Sequence, residues 1–231
     1  MAEAIRVNFS TPMPLFSLRD PVLFPYAVRP LHIFEARYRQ MIDECLDRQI
    51  AIASYAGDGW KSQCDTLPPL RPAVCVGHIV QQEALPDGRH NILLLGVCRA
   101  KIVEIIEPRE GRLYPMCMLV PLESSDAEPP PMVEIRRDLR RLLTGPRLRR
   151  LRRVESVMDW FDREDVSTTV LLELLGFALV MDGDLKYRLL AEADAQRRAE
   201  LIKEELLKLD HLVQRAERQG HRSWPKGLSW N

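Results

Sequence analysis

Three consecutive prolines, Pro129, Pro130 and Pro131, close a stretch from Glu123 to Pro131 that contains no large apolar side chain. Proline fixes φ and lacks an amide hydrogen, so neither a helix nor an inner strand can run through such a segment. It is expected to be an extended linker. The patterns on its two sides differ. Before it, short β-branched or alternating runs recur between Gly and Pro punctuation. After it, strand signals cease and apolar residues return at three- and four-residue steps. A chain divided in this way is expected to fold as α+β. The division places a β-barrel half over 10–123, a Pro-rich linker over 124–131, a helical half over 132–217 and an irregular tail over 218–231.

A chain of 231 residues, 46% hydrophobic and 29% charged, is long enough to bury a sizeable core. The formal net charge is zero, so overall charge points to neither nucleic acid nor an anionic membrane as partner. Met1 to Ser10 contains Glu3 and lacks the long apolar core of a signal peptide. No window of about 18 uncharged apolar residues exists to span a bilayer. The longest apolar stretch, Val170 to Met181, is short and interrupted by Glu173. Five cysteines, at 45, 64, 75, 98 and 117, form no CxxC pair and suit reduced thiols in a cytoplasmic protein.

In the first half, Pro14–Leu18, Ala51–Tyr55, Val74–Val80, Asn91–Val97, Ala100–Ile106 and Tyr114–Leu122 are expected strands. The turn signal Pro86-Asp87-Gly88-Arg89 joins two of them as a hairpin, and Gly57–Pro72 is expected to be an exposed loop. One helix, Arg37–Leu46, interrupts the series, with Tyr38, Met41, Ile42 and Cys45 on one face. About six short strands suggest a closed or partly closed barrel. In the second half, helices are expected over Met132–Leu143, Leu148–Phe161, Ser167–Val180 with Asp165 as cap, and Leu185–Ala191. A last helix, capped by Asp194, carries the stripe Leu201, Ile202, Leu206, Leu209 and Val213.

The run Pro21-Val22-Leu23-Phe24-Pro25-Tyr26-Ala27-Val28-Arg29-Pro30-Leu31-His32-Ile33-Phe34-Glu35-Ala36-Arg37-Tyr38 packs a dense apolar segment around prolines that must end or bend a strand. It resembles the signature of the Lon protease amino-terminal domain family, a "VLFP" strand followed by "PLHIFE-x-RY". A second resemblance runs through Val76-Gly77-His78-Ile79, Asp87-Gly88-Arg89 and Leu95-Gly96-Val97-Cys98-Arg99, similar to the family's "VGTxA…DGR…VxGxxR". Gly88 serves the turn, and Gly77 and Gly96 are expected at bulges or close strand crossings. A weaker match is Leu185-Lys186-Tyr187-Arg188-Leu189-Leu190-Ala191 against "KQxLLE", from which Tyr187 and Ala191 depart. The resemblance implies a PUA-like β pseudo-barrel followed by a helical bundle. It also implies a part in substrate selection and self-association.

No GxxxxGK[ST] phosphate loop occurs, so an ATPase module is not expected. The family's Ser–Lys proteolytic module has no room in the chain, which is expected to be a stand-alone recognition domain and not an enzyme. Histidines offer little chemistry. His32, beside Glu35, suits a turn residue that orders its neighbours. His78 and His90 are candidates to face each other across the hairpin, but they lack a nearby third ligand, so no metal or cofactor is expected. His211 is expected in solvent on the last helix, and Cys75 with His78 lacks an orienting third group.

The most unusual local feature is basic. Between Met132 and Arg153 stand nine arginines against Glu134 and Asp138. A solvated helix face, or pairing within the chain with the acids of residues 154–231, is the leading expectation for this segment. Arg147, Arg149, Arg150, Arg152 and Arg153 are the candidates for binding an acidic protein partner. A second function class is an RNA-binding protein that combines the barrel with this arginine-rich helix. Phe24, Tyr26 and Trp60 are the candidates for an apolar patch that captures extended polypeptide, although Phe24 equally suits the core and Trp60 a loop anchor. Trp224 and Trp230 suit either a docked tail or a partner-binding segment. The leading expectation is non-enzymatic recognition of unfolded segments or a specific protein, assisting proteolysis or quality control. A membrane partner is not expected, and nucleic acid is the disfavoured partner.

Overall fold

Residue Gly96 has no room for a side chain, and the barrel is arranged around that fact: a Cβ there would meet the Phe24 carbonyl oxygen at 1.9 Å. The structure, a computed structural model, describes residues 5–18, 23–45, 47–57, 69–123 and 132–219. Trp60, Cys64, the 124–131 linker, Trp224 and Trp230 lie outside the described residues.

Elements follow in the order β1 (Met13–Leu18), β2 (Val28–Ile33), α1 (Ala36–Glu44), β3 (Gln49–Ser54), β4 (Ala73–Ala84), β5 (His90–Ile106) and β6 (Met116–Pro121). The helices of the later chain are α2 (Val133–Leu143), α3 (Arg152–Asp162), α4 (Thr168–Leu179), α5 (Gly183–Ala191) and α6 (Ala195–Gln219). A 3₁₀ turn, Leu148–Arg150, precedes α3. Strand order is β2-β5-β4-β3-β1-β6, and β5 also pairs with β6, so five strands close on themselves while β2 remains an edge. Among the described strands only β1 and β3 run parallel, with Leu15 opposite Ala51. The interior holds Met13, Leu15, Ala51, Ala53, Val74, Val76, Ala100, Cys117 and Leu119. Small alanines alternating with larger residues suit the narrow lumen of a small barrel.

The expected hairpin forms, and the two strands expected at Asn91–Val97 and Ala100–Ile106 are one strand, β5. Its first part pairs with β2 and its last part with β6, while β4 follows it from Ala84 to Ala73. Such a strand must bend, and register shifts at Val76/Gly77, Ile79/Gln81 and Ile102/Glu104 provide the bending. Gly77 and Gly96 stand opposite each other at the first shift, as the sequence suggested. A Cβ on Gly77 would lie 2.8 Å from Leu94. Strand β2 carries Pro30 opposite Leu93, which an edge strand tolerates because one of its two rows of amides bonds no neighbour.

Two units emerge, Met1–Ala127 with Asp182–Ala193, and Glu128–Met181 with Asp194–Asn231. Helix α5 therefore belongs with the barrel, although the 132–217 division assigned it to the helical half. The reason is Arg99. Its side chain is 1% exposed, and it donates through Nε to the Leu190 carbonyl (3.1 Å) and through Nη2 to that of Leu189 (3.4 Å). A cation on the last carbonyls of a helix satisfies acceptors that have no partner within it and complements the dipole. Nη1 of the same guanidinium bonds Glu123 at 3.1 Å. Tyr187 accepts from the Ala73 amide at 3.1 Å, and Arg71 lies over the Tyr187 ring while pairing with Asp184.

Within the second unit, the Glu173 that interrupts the apolar stretch of α4 is buried and meets Arg198 of α6 at 3.2 Å. Ser167, rather than Asp165, caps α4: its hydroxyl accepts from the Val170 amide at 3.3 Å, while Asp165 is bound by Arg163.

Candidate functional site

The turn before β2 explains why the outer face of the barrel is shaped as it is. Phe24, offered by the sequence as a contact for partners, is 1% exposed and belongs to the core. A bulky ring between two prolines gains more from burial there than from a shallow contact. Tyr26 is the reverse. It adopts φ 63, a left-handed conformation that is costly for a large side chain, and is 54% exposed. The conformation is held by the barrel: the Tyr26 amide donates to the Gly96 carbonyl (2.8 Å) and the Gly96 amide to the Ala27 carbonyl (2.9 Å).

From Tyr26 the chain enters β2 with a period of two. Val28, Pro30 and His32 face outward, and Ile33 is buried. Directly opposed residues share a face of a sheet. Val28 stands beside Leu95 and His78, Pro30 beside Leu93 and Gln81, and His32 beside Asn91 and Glu83. The outer face is therefore graded. Its Tyr26 end is apolar, with exposed Val28 and half-buried Leu93 and Leu95, and Val80 is exposed at the second register shift of β4. Its far end is polar: the His32 ring bonds Asn91 at 2.8 Å and Arg89 at 3.2 Å, and Asn91 donates to Glu83 at 3.0 Å. The Arg89 guanidinium beside Asp87 holds that carboxyl down at about 2. Phe34, just past the strand, is 63% exposed.

Sequence reasoning selected Tyr26 on this face and missed Val28, Pro30 and Phe34. The signal was their alternation, hidden by the assumption that Pro30 ends a strand.

The two histidines of the hairpin do not meet. His78 pairs with Leu95 and His90 with Ala84, at separate rungs of the ladder. His90 is buried, lies 3.2 Å from Asp43 of α1 and ties the hairpin to that helix. Cys75 is wholly buried. Among the described residues no three His, Cys, Asp or Glu side chains converge to hold a metal ion. A second buried cluster is structural: the Ser17 hydroxyl lies 2.9 Å from both Tyr38 and Tyr55, and Tyr38 stacks on Phe16. Tyr38 thus anchors α1, and burial pushes its hydroxyl pKa up.

The arginine run is largely engaged within its own unit. Arg136 donates to the carbonyls of Trp160 (3.0 Å), Phe161 (2.9 Å) and Val166 (2.6 Å), closing the end of α3. Arg140 meets Asp162 at 2.7 Å, Arg147 meets Asp210 at 2.9 Å, and Arg150 meets Glu217 at 3.0 Å. Arg153 lies against Met181 and the Ala178 carbonyl. Arg149 and Arg152 are exposed and have no ion-pair partner among the described residues.

Comparison with known proteins agrees with this architecture. A family model described as the ATP-dependent protease La (LON) substrate-binding domain matches residues 12–208. A Lon protease of Trichlorobacter lovleyi is 31% identical over 97 residues, covering 41% of this chain and 12% of that protein. The Lon protease of Haemophilus influenzae is 29% identical over 124 residues, covering 51% of this chain and 14% of that protein. The chain thus matches only a small part of the length of these relatives. Among solved structures, the N-terminal domain of Mycobacterium avium complex Lon protease superposes with a TM-score of 0.64 at 16% identity, covering 85% of this chain and 98% of that one. A Lon N-terminal domain protein from Xanthomonas campestris gives 0.56 at 21% identity, with 82% and 95% covered. At these identities the structural likeness speaks to the fold. Among the described residues, no helix is long and apolar enough to cross a membrane.

Proposed function

This chain belongs to the LON substrate-binding domain family, and from that premise we propose that it recognises polypeptide through the outer face of β2 and β5. The observation that carries the reading is the apolar end of that face: Tyr26 exposed in the turn before the edge strand β2, Val28 exposed on it, and half-buried Leu95 and Leu93 of β5 opposite Val28 and Pro30. An edge strand offers main-chain groups to an extended chain, here interrupted at Pro30, which has no amide hydrogen, and apolar neighbours offer side-chain contacts. Such a surface selects for extended, apolar segments and demands little sequence specificity, as an unfolded substrate requires. The proposed role is non-enzymatic: the chain would deliver unfolded or specific proteins to proteolysis or quality control in the cytoplasm.

The polar rungs at His32, Asn91 and Glu83 bound the apolar end, so the segment recognised is short. Binding that rests on apolar burial and main-chain hydrogen bonds changes little with salt, whereas phosphate recognition by arginines falls steeply with it. The RNA reading has less to support it, since Arg136, Arg140, Arg147 and Arg150 are already engaged by carbonyls or carboxylates. Titration of a carboxymethylated, permanently unfolded protein at low and moderate salt tests the proposal. Saturable binding that survives the added salt supports it, and absence of binding at both salt concentrations refutes it.

A further inference from the structure

The second unit has a feature of its own beneath the arginines. The start of α3, the end of α4 and the middle of α6 enclose a groove of about 760 Å³. Its floor is built of Val154, Leu179, Ile202 and Leu206, and at its mouth Met181 is 63% and Leu212 54% exposed. Arg150, Arg152 and Arg153 stand on its rim, with Glu205 the single acid among the lining residues.

We propose that this groove binds an acidic amphipathic helix of a partner protein. Three observations lead to that occupant. The charge of the rim is unbalanced: Glu205 is itself 3.6 Å from Lys208, whereas Arg152 on the rim and Arg149 beside it lack an acid among the described residues. The local sequence also works against the fold. Arg152 and Arg153 occupy the first positions of α3, whose N-cap Leu151 makes no side-chain cap and whose first turn holds the one acid Glu155. Cations at a helix N-terminus oppose its dipole, and departures from local rules of this kind concentrate at functional sites. Bound carboxylates would offset both the unpaired charge and the dipole.

Shape gives the third observation. The groove follows α6 from Ile202 to Leu212, a span of about 15 Å at the helical rise, which is the length of three turns. Helices seat in such grooves by side chains at i, i+3 or i+4, and i+7, with charged flanks reaching the rim. A nucleic acid would use the arginines and leave the apolar floor uncovered. The sequence singled out these arginines for an acidic partner; what it lacked was the apolar floor that makes the partner a helix.

The test uses the full chain and three labelled peptides of equal length followed by fluorescence anisotropy. One is an amphipathic helix with leucine at i, i+3, i+4 and i+7 and glutamate on its flanks. The second has the same composition in scrambled order, and the third has lysine in place of glutamate. The first peptide is expected to bind at least tenfold more tightly than the other two. Arg149→Ser with Arg152→Ser, which disturbs no ion pair among the described residues, and separately Leu212→Asp, are each expected to weaken it at least tenfold with the circular dichroism unchanged. Val28→Asp on the barrel is expected to leave it unchanged, so failure of this site and of the barrel face are separable. Equal binding of the scrambled acidic peptide, indifference to both groove variants, or tighter binding of a single-stranded RNA oligonucleotide would each overturn the proposal.

Discussion

The Phe24 carbonyl oxygen lies over Gly96, in a space that a single added methyl group would fill to within 1.9 Å. Backbone meets backbone there, and neither side can yield without moving the turn that presents Tyr26 or the bend of β5. Gly96→Ala is therefore expected to destabilise the first unit by roughly 3 kcal/mol, at the upper end for overpacking. Gly111→Ala, where φ is 82 but nothing lies within 4 Å, is expected to cost only about 1 kcal/mol of backbone strain. Urea denaturation of the two variants measures the difference.

Arg99 fastens α5 to the barrel through two carbonyls near the end of that helix and the Glu123 carboxylate. Arg99→Met keeps the apolar length and removes these bonds. The expected cost is about 2 kcal/mol, reduced from the figure for a fully buried pair because Glu123 remains partly in water. Amide hydrogen exchange of Leu185–Ala191 is expected to quicken by about 30-fold, the factor that such a loss corresponds to.

These two contacts show where the sequence was legible and where it was not. The change from strands in the first half to helices in the second, the hairpin at Asp87-Gly88-Arg89 and the bend at Gly77 and Gly96 follow from local chemistry, and local chemistry is written in neighbouring residues. Arg99 and Leu190 are far apart in the chain, so nothing in the α5 periodicity tells which unit it joins. Pro30 concealed a strand because its tolerance depends on β2 being an edge, a property of the sheet and not of the segment. For the same reason the candidate face was only partly legible. Tyr26 stood out as an aromatic, but Phe24 two residues earlier has the same character and the opposite fate, the chain turning at Pro25-Tyr26 with Tyr26 itself left-handed.

Tyr26 holds its left-handed conformation at a cost that glycine would not incur. Glycine also has more freedom to lose on folding, so Tyr26→Gly is expected to leave thermal stability within about 1 kcal/mol of the original. Binding of an unfolded protein is expected to fall several-fold. A large loss of stability with unchanged binding would make Tyr26 a structural residue.

Burial holds Cys117 up at about 12 and Cys98 at about 11. Tyr114 rises to about 12 through burial and its hydrogen bond to Glu44. In the unfolded chain these groups ionise at lower pH, so above about pH 9 the unfolded state releases protons that the folded state retains. Stability is expected to change little from pH 8 to that point and to fall as pH rises toward about 12. Cys117→Ala is expected to show a shallower decline. Denaturation midpoints measured from pH 8 to 11 provide the comparison, and a parallel decline in the variant would remove Cys117 from the explanation.

The central claim concerns the outer face of β2, and the affinity ratio between the wild-type chain and Val28→Asp for a carboxymethylated unfolded protein tests it most directly. Val28 is exposed on an edge strand, so the variant is expected to fold. A charge placed in a contact that buries a valine is expected to weaken binding at least tenfold, about 1.4 kcal/mol or more. Unchanged affinity in the folded Val28→Asp variant would contradict the claim and place polypeptide recognition elsewhere on the molecule.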